Sequence, residues 1–282
     1  MSKVAIVTDS TSYIPKELVK KYNIAVAPQI LIWGGETFED GVDIQPEEFY
    51  NRLKKASVMP TTSQVTIAAF HQIFQQLVDE GCEVLAVLIS KLVSGTIDSA
   101  IQARDMLPGA PIEIVDSRST AMALGFQVLS VARLLEQGAS MAEAKALAEK
   151  SIEHVGVVFA VDTLEFLHRG GRIGGGQRFL GSALNIKPIL ELTGGRVEAV
   201  ERVRTRRKSL LRLVEIVEER IGGRKPVRLA SLHANAPEEA REILEIANQR
   251  IGAIETVFSE VSPVVGTHAG PGTVGLAFMA GM

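Results

Sequence analysis

Short apolar runs that stop at a cluster of small hydroxyl residues and then pass into a helical pattern do most to limit what this chain can fold into. Val84 to Ile89 is one such run; Ser90 to Gly95 break it, and apolar positions resume at Ile97, Ala100 and Ile101. A run of that length followed at once by a helical period reads as a buried strand feeding a helix. Lys3 to Val7 repeats the pattern before Thr8-Asp9-Ser10-Thr11-Ser12, and Ile112 to Val115 repeats it before Asp116-Ser117-Arg118-Ser119-Thr120. Strands alternating with helices predict a mostly parallel sheet with helices on both faces. Ligands of such sheets bind beyond the carboxyl ends of the strands, which is where these turns fall.

The turns carry the first functional hint. Gly95 lets the backbone approach a ligand, and Ser94, Thr96 and the free N–H groups of the next helical turn point at the same spot, where an anion is welcome. An ordinary N-cap at Ser94 or Thr96 accounts equally well for that turn taken alone. Repetition on one rim, with a fourth hydroxyl-rich loop at Thr61-Thr62-Ser63-Gln64, favours an anion or carboxylate site. Asp9 and Ser10 belong to the same set.

Composition narrows the classes. A chain of 282 residues, 46% hydrophobic and 22% charged, has ample interior for a large core, and its net charge of -3 argues against nucleic acid as a partner. No apolar run approaches the roughly 20 residues needed to cross a bilayer, and MSKVAIVTDS reads as a strand rather than a secretory signal. Cys82 is alone, so an internal disulfide and a cysteine metal cluster are both excluded, which fits a reducing cytoplasm. Peripheral contact is the most that a membrane is expected to make with this chain.

The remaining elements are read in order. Ile24 to Trp33 reads as one strand, Pro46 to Lys55 as a helix, and the long helix through Phe70 and Phe74 is capped by Thr66 or Ser63. Ser140 and Glu143 form a capping box. Val155 to Val161 is a strand, Gln177 to Asn185 a helix, and Lys187 to Leu192 pairs with Arg196 to Val203 across Thr193-Gly194-Gly195. Thr205 caps a helix over 206–221, strands follow at 227–232 and 255–261 with a helix over 237–251 between them, and a small apolar helix closes the chain after Gly272. The texture changes near residue 153 without an obvious linker.

Catalytic motifs are absent: there is no phosphate-binding G-x-x-x-x-G-K-[ST], no H-E-x-x-H and no G-x-S-x-G. The histidines at 71, 154, 168, 233 and 268 lack metal-ligand spacing. His268 stands in a glycine-rich turn, where backbone and imidazole can both approach a ligand. Arg202, Arg204, Arg206, Arg207, Lys208 and Arg212 form the densest charge cluster; a solvated face explains it, and so does an anion held against cations that the helix dipole disfavours. Two other activities remain open: a hydrolase or acyl-transfer enzyme using Ser94 and His268 with Asp9 or Asp116, and a lipid-responsive regulator.

Seven segments in fixed order complete the reading: VTDSTS at 7–12, PTTSQ at 60–64, LVSGT at 92–96, VDS at 115–117, FLHRGGRI at 166–173, VRTRRK at 203–208 and THAGPG at 267–272. Through them the sequence resembles, over essentially its whole length, the DegV family of bacterial fatty-acid-binding proteins, the FakB-type subunits of fatty acid kinase. The resemblance implies two α/β domains, residues 1–152 with the mostly parallel sheet and residues 153–282 with a smaller mixed sheet, and a long-chain fatty acid at their junction. It implies that Thr62 and Ser94 bond the carboxyl group, that His268 completes the network with Ser63, Gly95, Thr96, Asp9 and Ser10 as neighbours, and that Arg172 and Arg204 engage a kinase or the acyl phosphate. The protein would be a carrier without catalysis or cofactor of its own. A separate ATP-using subunit resembling dihydroxyacetone kinases would phosphorylate the bound acid, and an acyltransferase of phospholipid synthesis would take the product.

Overall fold

The computed structural model describes residues 3–181 and 186–282. The first half runs β1 (Lys3–Asp9), α1 (Lys16–Lys21), β2 (Ala25–Ala27), β3 (Ile30–Trp33), β4 (Glu36–Glu39), α2 (Pro46–Leu53), β5 (Thr61–Ser63), α3 (Ile67–Asp79), β6 (Cys82–Leu88), α4 (Thr96–Asp105), β7 (Ile112–Asp116), α5 (Ala121–Glu136) and α6 (Met141–Ser151). The second continues β8 (Val155–Ala160), α7 (Glu165–Arg169), β9 (Lys187–Thr193), β10 (Arg196–Val203), α8 (Arg206–Ile221), β11 (Val227–His233), α9 (Pro237–Ile251), β12 (Glu255–Glu260), α10 (Pro263–Ala269) and β13 (Val274–Ala280).

The parallel sheet has the order β2-β1-β6-β7, and its apolar runs are buried on both faces, as the unbroken hydrophobicity of Val84 to Ile89 requires. Strand alternation sorts the side chains. Val84, Ala86 and Leu88 meet Phe70, Phe74 and Ile97 of α3 and α4, whereas Leu85, Val87 and Ile89 face α5. The second sheet is mixed, in the order β10-β9-β8-β13-β11-β12, with only β11 and β12 parallel; its six strands make it wider than the four-stranded parallel sheet. Val157 and Val161 point toward α5, and Val158 and Ala160 point to the opposite face, under α8.

Three elements differ from the sequence expectation. The strand expected over Ile24 to Trp33 divides at Pro28, which has no N–H to give to a ladder: Ala27 pairs with Asp9 in the parallel sheet, whereas Ile30 pairs with Glu39 and Ser63 in a separate β4-β3-β5 sheet. The 61–64 loop is thus partly a strand. The closing segment is a strand rather than a small apolar helix, since VGLAFMA, buried at every position, lies between β8 and β11. Periodicity alone cannot separate a short wholly buried strand from a helix. Finally, Gly174–Phe179 forms a 3-10 turn where the helix over 177–185 was expected, and residues 182–185 lie outside the described residues.

Other local expectations hold. Thr66 accepts from the Ala69 N–H at 3.1 Å, and the Ser140–Glu143 capping box is complete. Thr205 stands at the α8 N-cap without a side-chain cap bond. Ion pairs meet several cations of the cluster instead: Arg206 with Glu239, Arg207 with Glu242, and Arg212 with Glu201, Glu215 and Glu219.

Helix α5 lies between the two sheets, packing against β1 and β6 on one side and β8, β11 and β13 on the other. One continuous core therefore draws on both halves of the chain. Gly125 sets the depth of this helix, because a Cβ there would stand 2.4 Å from the Ser12 carbonyl oxygen and 2.9 Å from Met122 Sδ. Gly125→Ala is expected to destabilise the fold by about 1–3 kcal/mol through overpacking, although alanine is the better helix former. Chemical denaturation measures the change; a stabilised variant would contradict the close approach.

Candidate functional site

The carboxyl ends of β1 and β6, strand β5, the inner face of the mixed sheet and helix α10 enclose a cavity. Its body is apolar, lined by Ile89 and Ala121, by Val157, Phe159, Leu192, Val197 and Leu232 of the mixed sheet, and by Val264, Val265 and Ala269 of α10. One set of residues gives it a polar end: Thr62, Ser63, Gln64, Ser94, Arg172 and His268. A second cavity, lined by Met59, Pro60, Phe166 and Arg169 among others, shares Thr62, Arg172 and His268 with the first. Those three side chains stand where the two spaces meet. Room for the centre of a water molecule amounts to 120 Å³ in the apolar cavity and 330 Å³ in the outer one. Close packing forgone over the 120 Å³ of the apolar cavity costs up to about 3 kcal/mol at ~24 cal/mol per Å³, which an apolar guest returns.

The polar end is built from two hydroxyl arms. Thr62 is placed by the pairing of β5 with Leu31, and its Oγ1 lies 2.7 Å from His268 Nε2. His268 lies in the last turn of α10 rather than in a glycine turn, and the glycines it needs are opposite: a Cβ at Gly170 would stand 2.0 Å from its Nδ1. Burial, and then the charge of Arg172, push its pKa down to about 4, so the ring is neutral near pH 7. Nδ1 is buried without a hydrogen-bond partner among the described residues. A bare lone pair there is less costly than an N–H with no acceptor, which puts the proton on Nε2. Nε2–H then donates to Thr62, and the Thr62 hydroxyl is free to donate to a ligand.

Ser94 forms the other arm, its Oγ 2.8 Å from Thr96 Oγ1. Gly95 is the α4 N-cap, and Gln64 packs against it, 3.2 Å from where a Cβ would be. Arg172, exposed at the opening, donates from Nε to the Val93 carbonyl at 3.1 Å and from Nη1 to the Gly170 carbonyl at 2.8 Å. A ligand carboxylate here would meet two hydroxyls and a nearby guanidinium, groups able to satisfy a head group whose burial would otherwise cost several kcal/mol.

The other expected residues fall outside this constellation. Asp9 is wholly buried and ties two strand ends together, accepting from Thr11 N–H at 3.0 Å, Thr11 Oγ1 at 2.6 Å and Ile89 N–H at 2.7 Å; burial pushes its pKa up. Ser10 Oγ donates to Asp40 Oδ2 at 2.7 Å. Arg204 is exposed and borders neither cavity. Ser94 and His268 are bonded to Thr96 and Thr62 rather than to each other, and Asp116 accepts from the Arg118 N–H at 2.9 Å, so no serine–histidine–aspartate relay is in place. Among the described residues no group of three or more His, Cys, Asp or Glu side chains could hold a metal ion, and no helix is long and apolar enough to cross a membrane.

Sequence reasoning missed two residues. Gln29, 2% exposed, borders the cavity and reaches Thr96. A lone amide inside the apolar run IAVAPQILIW was the signal that could have found it. Asp40 accepts from the Val264 N–H at 3.2 Å in the first turn of α10, the helix that carries His268; its acidic neighbours hid it.

Comparison with known proteins follows the same line. A family described as "Uncharacterised protein, DegV family" matches residues 3–281. A DegV domain-containing protein of Streptomyces coelicolor is 38% identical over 275 residues, covering 97% of each chain. A DegV family protein from Thermus thermophilus, described by its fatty acid binding, superposes with a TM-score of 0.93 at 34% identity, covering 99% of this chain and 100% of that one. DegV of Bacillus subtilis, described as a fatty acid binding protein, gives 0.90 at 33% identity with coverage of 99% and 100%.

Proposed function

Since this chain belongs to the DegV family, we propose that it binds a long-chain fatty acid, with the acyl tail in the apolar cavity and the carboxyl group between Thr62 and Ser94. In this reading residues 1–152 and 153–282 are the two lobes and the lipid lies along their junction. The observation that carries it is an apolar cavity ending in two hydroxyls and a neutral imidazole, beside an opening. The energetics agree, since burying about 14 methylenes at ~0.8 kcal/mol each gives on the order of 11 kcal/mol of gross driving force before ordering costs.

The proposal extends to a carrier role in the cytoplasm. A separate ATP-dependent kinase subunit would dock at the outer opening and phosphorylate the bound carboxyl group, and an acyltransferase of phospholipid synthesis would consume the acyl phosphate. Arg172 at the opening would face the phosphoryl group, and the exposed Arg204 would serve docking. The absence of a sequence loop for nucleotide phosphates supports a partner as the source of ATP.

Mass spectrometry of lipid extracted from the purified, denatured protein tests the binding claim. About one long-chain fatty acid per chain is expected, and a chain that neither carries one nor takes one up would overturn it. For the carrier role, Arg204→Ala is expected to keep the lipid and lose kinase-dependent acyl phosphate formation, whereas loss of the lipid itself would refute this division of labour.

A further inference from the structure

The Ser94 arm continues into the protein, and the direction of its hydrogen bonds decides what the site can accept. Ser94 Oγ lies 2.8 Å from Thr96 Oγ1, which in turn lies 2.9 Å from Gln29 Nε2 and 3.2 Å from Gln29 Oε1. Thr96 is fully buried and Gln29 is 2% exposed, so solvent does not scramble the chain. Each hydroxyl has one proton, so the chain can run in one of two directions. If Gln29 Nε2–H donates to Thr96, then Thr96 O–H donates to Ser94, and the Ser94 proton is free to point into the cavity. If instead Thr96 O–H donates to Gln29 Oε1, then Ser94 O–H donates to Thr96, and only oxygen lone pairs face the ligand.

The surroundings of Gln29 select the first direction. Its backbone is pinned on both sides: the N–H donates to Ser10 Oγ at 3.1 Å, and the carbonyl accepts from the Asp40 N–H at 2.9 Å. The amide NH₂ can only donate, and a donor this close to the Thr96 oxygen sends the Thr96 proton on to Ser94. The shorter of the two contacts to Thr96 is the one from Nε2.

We propose that Gln29 is a positioning residue which, through Thr96, sets the Ser94 hydroxyl as a donor into the cavity and so makes this site selective for anionic head groups over neutral ones. With Thr62 donating from the other side, a ligand must offer two lone-pair acceptors and no proton. A carboxylate does so, whereas a long-chain alcohol brings a hydrogen for which neither arm has an acceptor. The inference rests on the head-group role of Ser94 proposed above.

The test uses delipidated full-length protein, stearate and octadecanol. Gln29→Met keeps the length of the side chain and removes its donor. It is expected to weaken stearate binding by about tenfold or more while leaving octadecanol within about twofold, so the ratio of the two affinities collapses. Thr96→Val should do the same, and the double variant should be no worse than either single one, because the three residues act as one chain. With [1-¹³C]stearate bound, the carboxyl pKa followed by NMR should rise in both variants, as the anion loses a donor. Equal losses for both ligands, or an unmoved carboxyl pKa, would show a structural role and overturn the proposal. Should Gln29→Met not fold, Thr96→Val and Thr96→Ser decide it: valine must lose the selectivity and serine must keep it. A wild-type chain that fails to bind stearate at all would instead overturn the proposed function on which the inference stands.

Discussion

Thr62→Val combined with Ser94→Ala is expected to lower stearate affinity by about 10²–10⁴-fold while the protein still takes up a methyl ester of the same chain length. In the proposed binding mode each substitution removes a hydroxyl that donates to the carboxylate, worth roughly 1.5–3 kcal/mol, and because both arms share that one acceptor the two losses add only in part within the stated range. The apolar wall is untouched. Thr62→Val also strips His268 Nε2 of its partner at 2.7 Å, so the variant should lose about 1–2 kcal/mol of stability as well. Competition with a fluorescent fatty acid analogue at pH 7 measures the affinity, and thermal melting measures the stability. Stearate affinity within threefold of wild type would mean that the carboxyl group is held somewhere else.

Asp40→Asn is expected to make the protein more stable at neutral pH, by up to about 3 kcal/mol, and to leave it unchanged near pH 4. Burial pushes the pKa of Asp40 up to about 6 from an ordinary value of 3.8, despite the bonds from Ser10, Ser262 and the Val264 N–H. Between those values the folded state binds more protons than the unfolded chain, so stability is greatest below the window and is lost as pH rises through it. His268 runs the other way: its folded pKa near 4 lies below the ordinary 6.5, so its contribution is present above pH 6.5 and is lost on acidification toward 4. In the wild type the two slopes partly cancel. In Asp40→Asn the His268 slope should emerge, as a melting temperature that falls steadily from pH 6.5 to 4. A difference curve between the two proteins that is flat across pH 4 to 7 would refute this assignment.

How far the sequence discloses such sites depends on whether the relevant property is local. The strand, turn and helix around Val84 to Thr96 follow from periodicity, and the hairpin over Lys187–Val203 from its Gly194-Gly195 turn, because neighbours in the chain determine both. Thr62, Ser94 and His268 could be singled out through motifs, but their convergence is tertiary: Thr62 and His268 are 206 positions apart. The C-terminal strand was misread because its burial comes from partners on both sides, β8 and β11, which leave no alternation in its own seven residues. Asp40 and Gln29 were illegible for a related reason. Their importance lies in the shared contacts of Ser10, Thr96 and Val264, and none of those pairings leaves a spacing in the chain.

The position of β13 has a consequence for synthesis. Residues 1–273 contain every residue that lines the apolar cavity, but the strand that joins β8 to β11 is read off the message after all of them. Until it emerges from the ribosome, the β10-β9-β8 and β11-β12 ribbons are disconnected and carry unsatisfied edges. The mixed sheet can close only after translation of that stretch, and an mRNA truncated within it should yield a product that aggregates.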